Sequence, residues 1–312
     1  MCVDEFAAKA HSFFAEKGLD AEIFEGLAGK GWSAERVQII LKTYGLKTRV
    51  IVSDFEPNTS TKILGYKVAF PIMPAPLSGA IKAITTNCFR RIVDESRKAG
   101  VLPWIGYPCD RTDIENLSGF IWIIKPLKNR KLLYQELEFA EERCIAVGTD
   151  LDSFAYERIG SRTYPYEYLK PLSFDELKDI VSATKLPFIA KGILNEVDYD
   201  LAVKAGCDVI VLSSRGGRIL ESAASPIEIL NKIEKQTTTG IDSFLRSGED
   251  ILKVLALGAD FALVGRPVVY GLTFEGGIKA ILECLGNELK QVMRICGFRN
   301  LQEINPEVLV QL

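Results

Sequence analysis

The sequence is poor in histidine and has no long apolar run, no block of like charge and no closely spaced pair of cysteines. Its single histidine, His11, stands alone in a chain of 312 residues. Histidine is the most common general base near neutral pH and the most common metal ligand. The chemistry of this chain is therefore expected to come from carboxylates, lysine, tyrosine, thiols or a cofactor, and no metal site is expected.

The cysteines and the N-terminus exclude further classes of protein. Seven cysteines are widely spaced and odd in number, which argues against both a disulfide framework and a structural zinc site. The N-terminal stretch "MCVDEFAAKAHSFF" has early acidic residues and lacks the apolar core of a signal peptide, and no later segment reaches membrane-spanning length. We therefore expect a cytoplasmic protein with no membrane partner.

Charge and composition favour a globular protein with a small-molecule partner. The net charge is −3, and lysine and arginine are scattered along the chain, so no electrostatic feature predicts nucleic-acid binding. A chain of this length with 47% hydrophobic residues is able to bury a large core. A small anionic substrate is the expected partner.

Short apolar runs alternate with amphipathic charged stretches from residue 70 onward, a pattern typical of βα units. Ser173, Asn195 and Gly248 mark the predicted starts of three intervening helices. Eight strands in about 240 residues favour a (β/α)8 barrel over an open doubly wound sheet. The sheet would also need a glycine-rich turn that "PAPLSGAIKA" does not provide. The predicted strands are 71–75, 101–106, 120–124, 144–150, 187–192, 208–214, 238–242 and 260–265.

Residues 1–70 differ from the barrel pattern. They contain two or three short helices, the apolar run "RVIVS" and a predicted hairpin, "KILGYKVAF". We interpret them as a cap and a plug on the N-terminal end of the barrel. No low-complexity linker separates them from residues 71–312, so residues 1–312 are expected to form one domain.

The working residues of such a barrel lie at the C-terminal ends of its strands. Lys191 follows the apolar "PFIA", and a buried ammonium there needs an anionic or electron-rich partner. Gly265 and Arg266 follow the eighth strand, where barrels often hold a phosphate. A structural lysine and an ordinary turn are the alternatives. Other strand ends carry Tyr107, Lys125, Asp150, Arg215, Arg218, Asp242 and Arg246.

Two long segments resemble a known family. "LSFDELKDIVSATKLPFIAKGILNEVDYDLAVKAGCDVIVLSSRGGRIL" and "RSGEDILKVLALGADFALVGRPVVYGL" are similar to the FMN-dependent 2-hydroxy acid oxidases and dehydrogenases, and the similarity spans nearly the whole chain. The resemblance implies bound FMN and a homo-oligomer, by family analogy a tetramer. It implies that Lys191 stabilises the reduced flavin ring and that Arg218 grips the substrate carboxylate. The implied cofactor-binding residues are Ala75, Pro76, Lys191, Ser213, Asp242, Arg246, Gly265 and Arg266.

The chain departs from this family at its most important position. Where the family reads Ser-Asn-His-Gly-Gly-Arg, residues 213–218 read "SSRGGR", so Arg215 replaces the catalytic histidine. Arginine cannot act as a base because its pKa lies above about 12. Asp150 matches the carboxylate that pairs with that histidine. We predict that Arg215 and Arg218 together clamp an anion; the alternative is that Arg215 only completes a salt bridge with Asp150.

Other substitutions indicate a rebuilt substrate pocket. Lys125 replaces a family tyrosine at the end of the third strand, and we assign Lys125 and Tyr107 to substrate binding. Ser243 and Phe244 replace two glycines of the phosphate loop, which leaves the geometry of that loop open.

The expected protein is an FMN-dependent oxidoreductase acting on a carboxylate- or phosphate-bearing small molecule or a modified peptide, rather than a standard 2-hydroxy acid oxidase. One alternative is a non-redox flavin enzyme similar to type 2 isopentenyl diphosphate isomerase. Another is a non-catalytic flavin- or anion-binding protein. The predicted catalytic residues are Asp150, Lys191, Arg215 and Arg218.

Overall fold

The N-terminal part of the chain consists of three helices and a hairpin. The computed structural model describes residues 2–154 and 156–312. Helices α1 (Cys2–Lys17), α2 (Glu22–Glu25) and α3 (Trp32–Lys42) are followed by the short strand β1 (Tyr44–Leu46). Strands β2 (Thr61–Ile63) and β3 (Tyr66–Val68) pair antiparallel, which confirms the predicted hairpin.

Eight parallel strands form a barrel at the centre of the molecule. Their hydrogen-bonded order is β4-β13-β12-β11-β10-β7-β6-β5, and a parallel bridge between Leu77 and Ile105 joins the two ends. The predicted (β/α)8 barrel is therefore confirmed, with every predicted strand in place. In chain order the barrel strands are β4 (Ile72–Pro74), β5 (Trp104–Gly106), β6 (Phe120–Ile124), β7 (Cys144–Asp150), β10 (Phe188–Ile193), β11 (Val209–Leu212), β12 (Thr238–Ile241) and β13 (Phe261–Val264). Strands β8 (Tyr156–Ile159) and β9 (Arg162–Pro165) form a separate hairpin between β7 and β10.

The barrel strands are apolar along their whole length because both of their faces are covered. All five residues of β6 are buried, as are all four of β11 and β13. Parallel sheets covered by helices on the outside characteristically have such continuous apolar runs. The rings of Trp104 and Phe261 pack against each other, with centroids 5.8 Å apart.

Helices surround the barrel, and several of their starts agree with the sequence. Ser173 forms a capping box with Glu176, and the side chain of Asn195 caps the next helix. Ser247, one residue before the predicted Gly248, provides the cap of α10. No helix in the described part of the chain is both long and apolar enough to cross a membrane. The helices are α4 (Cys88–Lys98), α5 (Arg111–Ile114), α6 (Arg130–Arg143), α7 (Phe174–Ser182), α8 (Glu196–Lys204), α9 (Pro226–Leu230), α10 (Gly248–Ala256), α11 (Arg266–Gly271) and α12 (Gly277–Cys296). A last strand, β14 (Leu309–Gln311), pairs with β1.

The N-terminal segment covers both ends of the barrel, which differs from the expectation of a cap at the N-terminal end alone. The hairpin lies at that end, since Ala69 N donates to Gly100 O just before β5. Helix α2 lies at the opposite end, where the backbone carbonyl of Glu25 accepts hydrogen bonds from Arg266. The segment therefore contributes to the mouth of the barrel, where catalytic residues are expected.

The cysteines are mostly inert thiols. Burial raises the pKa of Cys88, Cys109 and Cys207 to about 12, so none of these three thiols ionises near neutral pH. Cys284 is disulfide-bonded, which the wide and irregular spacing of the cysteines did not predict. The thiols named here are not part of the site described below.

Candidate active site

A cavity of about 190 Å³ opens at the C-terminal ends of the strands, and most of the predicted site residues line it. The N-terminal residues Ile23 and Phe24 also line it, which the sequence did not indicate. The predicted residues around the cavity are Ala75, Pro76, Lys125, Asp150, Lys191, Arg215, Arg218, Asp242, Arg246, Gly265 and Arg266.

Two predicted residues do not line this cavity. Ser213 lies behind it, and its hydroxyl oxygen accepts hydrogen bonds from Lys191 Nζ at 3.1 Å and from the backbone N–H of Arg215 at 3.0 Å. Ser213 therefore positions two cations. Tyr107 packs edge-on against Trp122, with ring centroids 6.2 Å apart. Its predicted contact with substrate has no support in this geometry.

Asp150, the last residue of β7, is surrounded by three cations. Its carboxylate accepts hydrogen bonds from Lys125 at 2.8 Å, Arg215 at 2.7 Å and Lys191 at 3.4 Å. The four side chains are at most 12% exposed. Burial raises the pKa of Asp150, but the three cations outweigh it and hold that pKa well below its usual value. Asp150 is therefore an ionised anchor for cations.

Lys191, on β10, is fixed between two carboxylates. Its ammonium lies 3.4 Å from Asp150 and 3.1 Å from Asp242. Burial lowers the pKa of Lys191, but these carboxylates outweigh the effect and raise it above the ordinary lysine value. The predicted buried ammonium with anionic partners is present, and it keeps its charge at physiological pH.

Arg215 forms an ion pair with two carboxylates. Its Nη1 lies 2.7 Å from Asp150 and 3.1 Å from Asp152, and its backbone adopts a left-handed φ of 51°. The contact with Asp150 agrees with the sequence, whereas the contact with Asp152 was not predicted. Burial, followed by repulsion from Asp150, raises the pKa of Asp152 to about 6. Arg215 is therefore a buried, permanent cation that two carboxylates hold in place.

Arg218 is also paired within the protein. Its Nη1 lies 3.1 Å from Glu157 Oε1, and its Nη2 donates to the carbonyl of Ile23 at 2.8 Å. Glu157 lies on β8 and also accepts from the Tyr166 hydroxyl at 2.5 Å. Burial raises the pKa of Glu157, but Arg218 and Arg215 outweigh it and lower that pKa below the usual value. The cation expected to grip a substrate carboxylate is thus held by a carboxylate of the chain.

The opposite end of the cavity gathers arginines without carboxylates. Arg266 donates to the carbonyls of Glu25, Gly26 and Gly216. Its burial, together with the charges of Arg218 and Arg246, lowers the pKa of Arg266 to about 10. The side chains of Arg246 and Arg266 form no ion pair with a carboxylate in residues 2–154 and 156–312. Such a cluster suits an anion with several acceptor oxygens.

The turn after β12 maintains a left-handed backbone without glycine. Ser243 has φ of 80° and Phe244 has φ of 62°, in a region that non-glycine residues adopt at an energetic cost. The Ser243 hydroxyl donates to Asp242 at 2.7 Å and accepts from Ser214, while the Phe244 ring lies 4.7 Å below the Arg266 guanidinium. These contacts stabilise the turn at the arginine-rich end of the cavity.

The family of the chain follows from comparison with known proteins. A family model described as FMN-dependent dehydrogenase matches residues 15–158 and 155–311. Human 2-hydroxyacid oxidase 2 is 28% identical over 342 residues, covering 98% of this chain and 97% of that enzyme. The cattle enzyme of the same name is 36% identical over 155 residues, which cover 46% of this chain and 44% of that enzyme. The chain belongs to the FMN-dependent dehydrogenase family.

Solved structures agree with this assignment. A mandelate oxidase variant with (S)-mandelic acid aligns with a TM-score of 0.84 and 25% identity, covering 99% of this chain and 97% of that one. Another mandelate oxidase variant contains a monooxide FMN adduct and aligns with a TM-score of 0.79. The protein is an FMN-dependent oxidoreductase. The cavity fits this cofactor, because Arg246 and Arg266 line it, have no carboxylate partner in the described part of the chain and can donate hydrogen bonds to a phosphate.

Proposed function

We propose that this FMN-dependent oxidoreductase acts on a small anionic molecule that is not a standard 2-hydroxy acid. The observation that carries the proposal is the ion pair of Arg215 with Asp150 and Asp152, at the position that the sequence resemblance assigns to the family's catalytic histidine. Relatives such as the peroxisomal (S)-2-hydroxyacid oxidase of Arabidopsis thaliana are named for 2-hydroxy acids. Those acids are therefore the compounds against which the proposal has to be tested.

The residues of the chain divide into those that would hold FMN and those that would meet the substrate. FMN, when bound, supplies hydride-accepting or hydride-donating chemistry. Arg246 and Arg266 would hold its phosphate and Asp242 its ribityl chain, with Ala75 and Pro76 along the ring. The Lys191 ammonium would stabilise negative charge on the ring, since two carboxylates fix its position.

The groups that face the substrate space are poor proton acceptors. Arg215 and Arg218 donate hydrogen bonds only. Asp150 binds three cations and has a lowered pKa, and Glu157, which also lines the cavity, has a lowered pKa as well. Neither carboxylate therefore has much tendency to accept a proton. Burial and the nearby Arg215 lower the pKa of Lys125, but its 2.8 Å contact with Asp150 favours the ammonium form. A substrate with its own acidic proton, or reduction of an activated double bond, fits this set of groups best.

Recognition of the substrate would rest on the cations. Arg215, Arg218 and Lys125 line the same cavity, and guanidinium groups are well suited to planar oxyanions. The substrate anion would displace Glu157 from Arg218. The relatives found are 2-hydroxyacid oxidases, so they support neither the isomerase nor the non-catalytic alternative. They do not support a non-standard substrate either, and that part of the proposal rests on Arg215 and its partners.

Anion titration of the FMN-loaded protein tests this proposal. Oxalate and sulfate should change the flavin absorbance spectrum saturably, and Arg218→Ala should weaken both anions at least about tenfold, since a charge-assisted hydrogen bond contributes about 1.5–3 kcal/mol. Arg36→Ala is the matched control, because Arg36 pairs with Glu228 outside the cavity. A flavin spectrum insensitive to both anions, or equal affinities in the Arg218 variant, would contradict the proposal.

A further inference from the structure

Helix α2 forms part of the cavity wall and contacts arginines at both ends of the site. Ile23, on this helix, lines the cavity, and its carbonyl accepts from Arg218 at 2.8 Å. The carbonyl of Glu25, at the end of the same helix, accepts from Arg266 Nε at 3.2 Å and from Arg266 Nη2 at 2.9 Å. The position of this short helix therefore affects where both guanidinium groups lie.

Helix α2 cannot hold this position by itself. It has four residues, and Ala21, at its N-cap, provides no side-chain cap. Isolated helices much longer than this are only marginally stable in water. The place of α2 therefore depends on contacts with neighbouring elements. The Phe24 ring supplies one such contact, since it stacks on the ring of Phe14 of α1 with centroids 5.0 Å apart.

The side chain of Glu25 supplies a second contact, at which three helices meet. His11 Nε2, on α1, donates to the Glu25 carboxylate at 2.8 Å. The Tyr270 hydroxyl, on α11, also hydrogen-bonds this carboxylate, and burial followed by this hydrogen bond raises the pKa of Tyr270. The rings of His11 and Tyr270 lie edge to face, with centroids 6.2 Å apart. Tyr270 is 3% exposed, whereas the His11 side chain is half exposed, so Tyr270 is the stronger partner.

Glu25 thereby links Arg266 to a buried residue of the same helix. Arg266 and Tyr270 are four residues apart on α11 and so lie on one face of it. Glu25 contacts the first through its carbonyl and the second through its carboxylate. Backbone carbonyls occupy Nε and Nη2 of Arg266, whereas Nη1 has no hydrogen bond within the described part of the chain. Because a guanidinium is planar and rigid, fixing one edge determines where Nη1 lies.

We propose that Glu25, with Tyr270 and His11 as its partners, is a positioning residue that orients the Arg266 guanidinium for the FMN phosphate. This role depends on the contact of Arg266 with that phosphate proposed above. Backbone carbonyls orient Arg266 without neutralising it, so its charge remains available to the phosphate. The carboxylate of Glu25 acts on the cofactor only through the helix that it holds in place.

Fluorescence titration of the full-length chain with FMN and with riboflavin tests this role. Glu25→Ala removes both side-chain hydrogen bonds and should weaken FMN at least about fivefold relative to Glu25→Gln, which removes the same charge but keeps an acceptor oxygen. Riboflavin affinity should be equal in the two variants, because riboflavin lacks the phosphate. Glu22→Ala, at an exposed position of the same helix, should bind both flavins as the wild type does.

Tyr270→Phe keeps the test decisive if Glu25→Ala does not fold. It removes only the hydroxyl and should also lower the ratio of FMN affinity to riboflavin affinity. Equal FMN affinities of the two Glu25 variants, an equal loss of riboflavin affinity, or an unchanged ratio in Tyr270→Phe would overturn the positioning role.

Arg266→Ala separates failure of this role from failure of the phosphate contact. If Arg266→Ala lowers the ratio of FMN affinity to riboflavin affinity and Glu25→Ala does not, the positioning role is wrong and the phosphate contact stands. If neither variant lowers the ratio, both are wrong.

Discussion

Arg215 is the residue that most alters the chemistry of this site. It is a permanent cation held by Asp150 and Asp152, and the sequence resemblance predicts that it replaces a catalytic base. An ion pair this deeply buried is costly to break, since removing one partner leaves uncompensated charge. Arg215 therefore stabilises the fold and is also a candidate anion ligand. The first role predicts a loss of stability when Arg215 is replaced, and the second predicts a loss of anion affinity.

Arg215→Ala should destabilise the protein and weaken anion binding. The loss of free energy of unfolding should be about 3 kcal/mol, as expected for a broken buried ion pair, measured by urea denaturation at neutral pH. Oxalate affinity, measured by the flavin spectrum, should fall at least about tenfold. Arg299→Ala is the control, because the Arg299 side chain hydrogen-bonds Ser53 and lies over the Phe55 ring at the surface, away from the cavity. Lower stability with unchanged oxalate affinity would leave Arg215 as a partner of Asp150 alone.

Asp152 predicts a pH dependence of stability. Its pKa in the folded protein is raised to about 6 by burial and by Asp150, against the opposing charges of Arg215, Lys191 and Lys125. The folded state therefore binds more protons than the unfolded state between pH of about 4 and 6. The contribution of Asp152 to stability is full below this range and is lost as the pH rises through it.

The difference in unfolding free energy between the wild type and Asp152→Asn isolates this effect. It should change in favour of the Asp152→Asn variant by about 1–3 kcal/mol as the pH rises through this range, as measured by denaturant titration at several pH values. A difference that does not vary with pH would show that Asp152 titrates normally.

At the scale of single elements, the hairpin β8–β9 provides the carboxylate that pairs with Arg218. Glu157 on β8 pairs with Arg218, and the hydroxyl of Tyr166 holds Glu157 from the other side. The hairpin thus places a carboxylate of the chain where a substrate anion is expected to bind. Any such anion has to compete with Glu157.

Glu157→Gln should strengthen the binding of external anions. Removing the carboxylate charge leaves Arg218 with the carbonyl of Ile23 as its remaining strong partner among the described residues, so oxalate affinity should rise about tenfold. The flavin spectrum provides the measurement. Glu167→Gln, an exposed change in the same region, should have no effect, and unchanged oxalate affinity in the Glu157 variant would show that the ion pair does not restrict the site.

The turn after β12 and the start of α11 form the proposed phosphate site. Arg246→Ala should weaken FMN at least about tenfold while leaving riboflavin binding unchanged, because riboflavin lacks the phosphate that this guanidinium would meet. Fluorescence titration of the cofactor-free chain measures both affinities. Equal losses for FMN and riboflavin would indicate a general disturbance of the pocket.

The sequence predicted well the elements whose apolar residues form regular runs or whose ends carry local signals. All eight barrel strands and the caps at Ser173 and Asn195 follow from apolar runs and local helix-start signals. The residues at strand ends were found for the same reason. Glu157 and the Ile23 to Glu25 segment were missed, because their positions depend on long-range packing that leaves no local pattern.

At the scale of the whole molecule, the barrel of the family is retained, and the sequence resemblance predicts that reactive residues have changed. The alignment with mandelate oxidase covers 99% of this chain at 25% identity. A fold can support different reactions when the residues at its strand ends differ. The family therefore establishes the cofactor and barrel, and the substrate has to be deduced from Arg215, Lys125 and their partners.

The most direct test of the account is anaerobic mixing of the FMN-loaded protein with glycolate, lactate and mandelate. Loss of a positioned base should lower the rate of flavin reduction by about 10²–10⁴. The flavin absorbance should therefore remain that of the oxidised form on the time scale of rapid mixing with all three acids, while dithionite bleaches it fully. Rapid bleaching by any of the three acids would contradict the account and show that another group in the cavity accepts the proton.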